Sequence, residues 1–207
     1  MGDTTQGRSL YISPSYTADF WRGLDLNPED PKQEDWLNAV DVLRDRIDGR
    51  FIKPAQTLIE TDKGNKQQSF GFAILALDCL VLETIQGFRD GLPDHNGQSK
   101  RLFIDFLSGW RPFVDCLGEG MLATAKAESF YKQGRCALHH SGATDKLRVR
   151  IGGPMMSFEG DEITVNRTAF HTELVAELGR YLIALSDPQA VVLRRNFQRK
   201  MNTICGI

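Results

Sequence analysis

A permanent cation and two imidazoles stand together at one place in this chain, Arg135-Cys136-Ala137-Leu138-His139-His140, set between Phe130-Tyr131-Lys132-Gln133-Gly134 and Ser141-Gly142. His139 and His140 are the only closely spaced histidines. A guanidinium presents a planar fork of donors that matches phosphate oxygens, and a histidine can give or take a proton near neutral pH. Together they are a minimal set of groups for work on a phosphodiester. With Gly142 as a left-handed cap, both histidines fall in the last turn of a helix, where the helix dipole also favours basic side chains. At ~100° per residue, Arg135 and His139 share a face, whereas Arg135 and His140 stand about 140° apart. His140 can therefore meet Arg135 only where the last turn loosens or across a symmetric interface.

The chain has 207 residues, 41% hydrophobic and 25% charged, which suits one domain with a real core. A net charge of −2 does not announce a nucleic-acid binder, yet the distribution is uneven. Residues 1–48 carry ten acids and five bases; residues 126–150 carry six bases and two acids; residues 187–207 carry four bases and one acid. Cys79, Cys116, Cys136 and Cys205 are scattered, in no zinc-binding or disulfide spacing, so reduced thiols in a cytoplasmic protein are expected, with no metal and no cofactor. Met1-Gly2-Asp3-Thr4-Thr5 does not read as a signal peptide. The longest apolar run, Phe70 to Ile85, contains Asp78 and Glu83 and reads as a core helix too short to span a bilayer, so no membrane partner is expected.

The elements that must position the hexapeptide are mostly helical. Tyr11, Tyr16, Phe20 and Trp21 are expected to dock an N-terminal segment on the body. Trp36, Val40, Leu43 and Ile47 predict an amphipathic helix from about Pro31 to Asp48, ending at Gly49. Phe51 to Glu60, with Pro54, reads as a short connection and Thr61 to Lys66 as a turn. A helix apolar almost all round runs from about Gln68 to Asp90 and is stopped by Gly91-Leu92-Pro93. Ser99 is expected to cap the next helix, which fades near Arg111-Pro112; a fourth runs from about Leu122 to His139. Leu147–Ile151 and Glu162–Val165 alternate with period two and predict a β-hairpin at 147–165. Asn166 should cap a helix with the stripe Phe170, Leu174, Leu178, Tyr181, Leu182 and Leu185, and Asp187-Pro188 should open the last one. The fold class expected is mainly α, a helical bundle with one inserted β-hairpin. Residues 1–66 form an N-terminal segment with one amphipathic helix, and 67–207 form the bundle.

Arg135, four residues and His140 at a helix end in such a bundle resemble the R-x4-6-H motif of the HEPN superfamily (higher eukaryotes and prokaryotes nucleotide-binding domains). Phe130–Cys136 and Leu82-Glu83-Thr84-Ile85-Gln86-Gly87-Phe88 resemble bacterial HEPN-like proteins of the defence and toxin kind, over roughly residues 68–205. In active members the position after the arginine is often polar; here it is Cys136. The resemblance implies a HEPN-like bundle, metal-independent RNA cleavage at a site shared by a homodimer, and a cognate antitoxin or defence-system partner. It assigns catalysis to Arg135 and His140, with His139 as a second contact.

Glu83, on an apolar helix, either pairs structurally with an arginine or backbone, or orients Arg135 or a histidine. Tyr131 and Lys132 could touch RNA, though Tyr131 also suits a core position. Arg194, Arg195, Arg199 and Lys200 make the last helix basic, either as a solvated face or as an RNA-phosphate track. His171 and His95 receive no role. Two readings compete with the ribonuclease: the same fold as a catalytically inactive module binding a protein or nucleotide, and a purely structural bundle.

Overall fold

The computed structural model describes residues 10–30, 32–63, 69–136 and 146–207. Its organising element is the apolar helix α4, Gly71–Arg89, where Ile74, Leu75, Val81, Leu82, Ile85 and Phe88 are all fully buried. Around it stand α2 (Gln33–Ile47), α3 (Lys53–Lys63), α5 (Ser99–Gly109), α6 (Arg111–Leu117), α7 (Met121–Phe130), α8 (Arg167–Ser186) and α9 (Val191–Cys205), with the short α1 (Ala18–Arg22) on the N-terminal segment. Of these, α3, α5, α8 and α9 pack directly on α4. The fold is mainly α. At 19 residues α4 exceeds the apolar run read from the sequence and is long and apolar enough to cross a membrane, the one such helix among the described residues. Just over half of it, 56%, is buried by its neighbours, as in a core helix.

One hydrophobic cluster runs from Ile12 to Cys205. Phe197 of α9 ties its parts together, meeting Trp21 edge-on at 5.5 Å, Trp36 at 6.3 Å and Phe88 at 5.9 Å. Such aromatic contacts add about 0.5–1.5 kcal/mol each beyond area burial. Of the four N-terminal aromatics, Trp21 is buried and Tyr16 half-buried, while Tyr11 and Phe20 remain exposed.

Several boundaries differ from expectation for identifiable reasons. Helix α2 ends at Ile47 with Asp48 as its cap, close to the expected end, but the chain does not turn away there: a π-helical turn, Asp48–Ile52, carries it straight into α3. Pro54 lies in the first turn of α3, directly after a segment where the regular i→i−4 ladder is already broken, so its missing N–H costs little there. Helix α5 ends at Gly109, close to the expected fade near Arg111-Pro112, and Pro112 sits in the first turn of a separate short helix, α6. Asp187 accepts from the Gln189 N–H at 2.9 Å in a local turn, and α9 starts only at Val191. Asn166 does cap α8, accepting from the Ala169 N–H at 3.2 Å.

The hairpin at 147–165 is corrected to a three-stranded sheet. Strands β1 (Leu147–Arg150) and β3 (Glu162–Asn166) pair in parallel, Leu147 opposite Ile163. The hairpin partner of β3 is β2 (Met156–Glu159), antiparallel, giving the order β1-β3-β2. Gly160, at φ +61°, makes the tight turn between them. Leu147, Met156, Ile163 and Val165 bury one face against the helices.

Candidate functional site

Arg135 is placed by an irregular helix. After α7 the chain enters a second π-helical turn, Tyr131–Cys136, and single π turns inside helices are frequent at functional sites. Gly134 is buried there against Phe130; a Cβ on it would lie 2.6 Å from the ring. The next side chain, Arg135, crosses to α4 and meets Glu83 side-on: Nε donates to Oε1 at 2.8 Å and Nη2 to Oε2 at 3.4 Å. The Ser99 hydroxyl at the start of α5 also donates to Glu83 Oε2, so Ser99 braces the carboxylate while Gln98 occupies the cap position of the helix. Tyr131 completes the setting, its ring 5.7 Å from the guanidinium carbon and 5.4 Å from Phe103.

The Glu83 side chain is 5% exposed and that of Arg135 18%. Burial opposes the charge on Arg135, but the hydrogen bond and charge of Glu83 prevail and hold its pKa above the ordinary arginine value. Glu83 takes two of the five guanidinium N–H donors. The remainder belongs to Nη1 and the second Nη2 proton, and Nη1 has no partner among the described residues. A side-on carboxylate thus fixes the plane of the cation and, among the described residues, leaves its outer edge for an anion.

The other sequence candidates are placed unequally. His139 and His140 lie outside the described residues, as does the expected cap at Gly142. Lys132 is exposed and 3.7 Å from Glu128, which also pairs with Lys100. Cys136 is half-buried. The basic residues of α9 do not form one track. Arg194 is fully buried, donating to the Leu185 and Ser186 carbonyls at 2.9 and 3.0 Å and lying 4.7 Å from the Trp36 ring. Lys200 is 5% exposed. Arg195, paired with Glu29 at 2.6 Å, and Arg199, which donates to the carbonyls of Gly91 and Asp90, are both exposed. Helical periodicity explains this split: a buried face recurs every three or four residues, so four bases over seven positions cannot all point outward.

Two further polar pairs escaped the sequence reading. Asp78 of α4 meets His171 of α8, Oδ1 to Nδ1 at 2.8 Å, with both side chains buried. Burial raises the Asp78 pKa, and the histidine works against that. Asp62 of α3 pairs with Arg167 at the start of α8, both nearly inaccessible. The available signal was compositional: an ionisable residue on an apolar helix must find a partner, and His171 was one of few candidates. Among the described residues no group of three or more His, Cys, Asp or Glu side chains is arranged to hold a metal ion. Comparison of the chain with protein-family models, curated proteins and solved structures finds no match.

Proposed function

We propose that this protein is a HEPN-like, metal-independent endoribonuclease, working in the cytoplasm as a homodimer in a bacterial toxin or antiphage setting, under the control of a partner protein. The observation that supports this reading most is the Glu83–Arg135 geometry: a guanidinium held in plane, its Nη1 without a partner among the described residues, immediately before the segment that carries His140.

The chemistry follows from the residue types. In RNA the ribose 2′-OH is an internal nucleophile beside its own phosphate, so the protein must move protons and stabilise added charge. His140 of one protomer takes the 2′-OH proton as the oxygen attacks phosphorus. The bond from phosphorus to the 5′-oxygen breaks, and that oxygen receives a proton from the second His140 of the dimer. Arg135 holds the non-bridging oxygens as negative charge builds, and Glu83 keeps its plane fixed. The products are a 2′,3′-cyclic phosphate and a 5′-hydroxyl; DNA, lacking the 2′-OH, is spared.

The test is incubation of labelled RNA with purified protein in EDTA, beside Arg135→Ala and His140→Ala. Cleavage by the parent should fall about 10²–10⁴-fold without the histidine and about 10²–10³-fold without the arginine. A second reading, an inactive module that binds a protein or nucleotide, draws support from the same ion pair, because Glu83 offsets the positive charge a phosphate would meet. Intact RNA in every lane with a well-folded parent dimer would decide for that module.

A further inference from the structure

Two cations elsewhere in the fold form no ion pair with a carboxylate among the described residues. Arg46, near the end of α2, and Lys200 of α9 line one cavity of about 240 Å³, together with Thr84 and Phe88 of α4 and Asp94 and His95 of the loop that follows it. Arg46 donates to the Ile12 carbonyl; Lys200 Nζ donates to the Leu92 carbonyl at 2.8 Å and to His95 Nε2 at 2.9 Å. Because His95 Nε2 accepts, the ring is neutral there, with its proton on Nδ1. His95 reaches this position by lying over Gly87, where a Cβ would stand 2.2 Å from Nε2.

The electrostatics agree with the geometry. Burial, with the charge of Arg50 adding to it, brings Arg46 down to about 10, and burial together with Arg46 brings Lys200 down to about 8. Burial and Lys200 also lower His95. Asp94, the acid of this cavity, is exposed and offsets Lys200 only in part; its carboxylate accepts from the Asn96 N–H at 2.9 Å. The two cations Arg46 and Lys200 outnumber the one acidic side chain, Asp94, so the cavity keeps a net positive charge. Desolvating a cation without a counter-charge is costly, and two side by side are costlier. An anion bridging them removes that cost. The cavity volume lies below the roughly 300–1,000 Å³ typical of drug-sized ligands, so the fit is to a small, highly charged group.

We propose that the cavity between Arg46, His95 and Lys200 is a binding site for a phosphate group, supplied as inorganic phosphate or as the terminal phosphate of a nucleotide. This site does not depend on the Arg135 reading: it is built from α2, α9 and the loop after α4, and it would stand were the protein not a nuclease.

Inorganic phosphate, titrated at constant ionic strength into protein carrying ¹³C-lysine, should shift the Lys200 signal saturably, while matched chloride should not. Calorimetry on the same protein gives the affinity. Arg46→Met and Lys200→Met each remove one charge at similar volume, and each should weaken phosphate by about tenfold or more, since a charge-assisted hydrogen bond is lost. Each change also leaves a carbonyl without its donor, at about 1–3 kcal/mol; should either variant fail to fold, the wild-type Lys200 titration decides alone. Adenosine 5′-monophosphate and adenosine form the other arms. Tighter binding of the monophosphate than of phosphate identifies a nucleotide as the source, and equal binding identifies phosphate itself. The proposal is overturned by a Lys200 signal unmoved at millimolar phosphate, by unchanged affinity in both folded variants, or by adenosine binding as well as its monophosphate.

Discussion

Removing Glu83 should destabilise the fold through Arg135, and the size of the effect can be worked from their exposure. Breaking a buried pair by deleting one partner costs about 3–5 kcal/mol, because the other charge is left uncompensated. Arg135 retains 18% exposure, so water reaches part of the guanidinium and the cost falls to about 2 kcal/mol. The Ser99 hydroxyl also loses its acceptor, adding about 1 kcal/mol. Glu83→Ala should therefore cost about 3 kcal/mol. In a domain of this size that lowers Tm by about 6–12 °C. Arg135→Ala should cost more, about 3–5 kcal/mol, since Glu83 is only 5% exposed and the stranded carboxylate has less access to water. Glu83→Gln keeps the shape and an acceptor and should cost about half as much as Glu83→Ala. The apolar pair Glu83→Leu with Arg135→Met should recover most of the loss, so the double change should fall short of the sum of the single ones by at least about 1.5 kcal/mol. Thermal and urea unfolding followed by circular dichroism measures all of these. A Glu83→Ala shift under about 2 °C, or strictly additive single and double changes, would refute the pairing as the reason for a carboxylate on α4.

Two further outcomes test the placement of neighbouring groups. Arg194→Met leaves the Leu185 and Ser186 carbonyls without their donor and should cost about 2–3 kcal/mol, whereas Arg195→Gln on the solvent side should stay within about 0.5 kcal/mol; equal melting temperatures would contradict the burial of Arg194. Gly134→Ala forces a methyl to within 2.6 Å of the Phe130 ring and should cost about 1–3 kcal/mol. It should also move the Arg135 Nε resonance, and an unchanged signal with unchanged stability would show that the π-helical turn does not set Arg135.

The elements that could be read from the sequence are those whose pattern is repeated many times. The stripe from Phe170 to Leu185 and the almost unbroken apolar surface of α4 each supply several independent reports of one helix, and Asn166 adds a cap with a mechanism. What was misread hangs on single residues. Pro54 suggested a break because proline ends most helices, yet its meaning depends on a π-helical turn that no periodicity announces. The strand partner of β3 was hidden differently: Met156-Ser157-Phe158-Glu159 alternates and Gly160-Asp161 is a two-residue turn, but the glycines and proline just before it made the whole stretch look like loop. In the candidate site, Glu83 was visible as a charge out of place, while the identity of its partner was not, because 52 residues separate it from Arg135. The basic residues of α9 failed as a group since charge counted along the chain ignores which face each side chain occupies.

The exceptions on α4 explain how one apolar helix specifies what surrounds it. Leucines and isoleucines pack against any apolar neighbour of similar shape, so they favour burial without choosing a partner. Asp78, Glu83 and Gly87 do choose. Asp78 and Glu83 lie five residues apart, about 140° around the helix, and Glu83 and Gly87 four apart, about 40°. Each therefore addresses a different element: Asp78 takes His171 from α8, Glu83 takes Arg135 from the π-helical turn after α7 together with Ser99 from α5, and Gly87 makes room for His95 from the loop between α4 and α5. A rotation of α4 by one residue would separate both carboxylates from their partners and leave them buried and unpaired, at several kcal/mol each. Two of the three positions that fix the rotation of the central helix, Glu83 and Gly87, also hold the guanidinium of the candidate site and the imidazole of the proposed phosphate site, so one small group of residues sets the packing and places both groups.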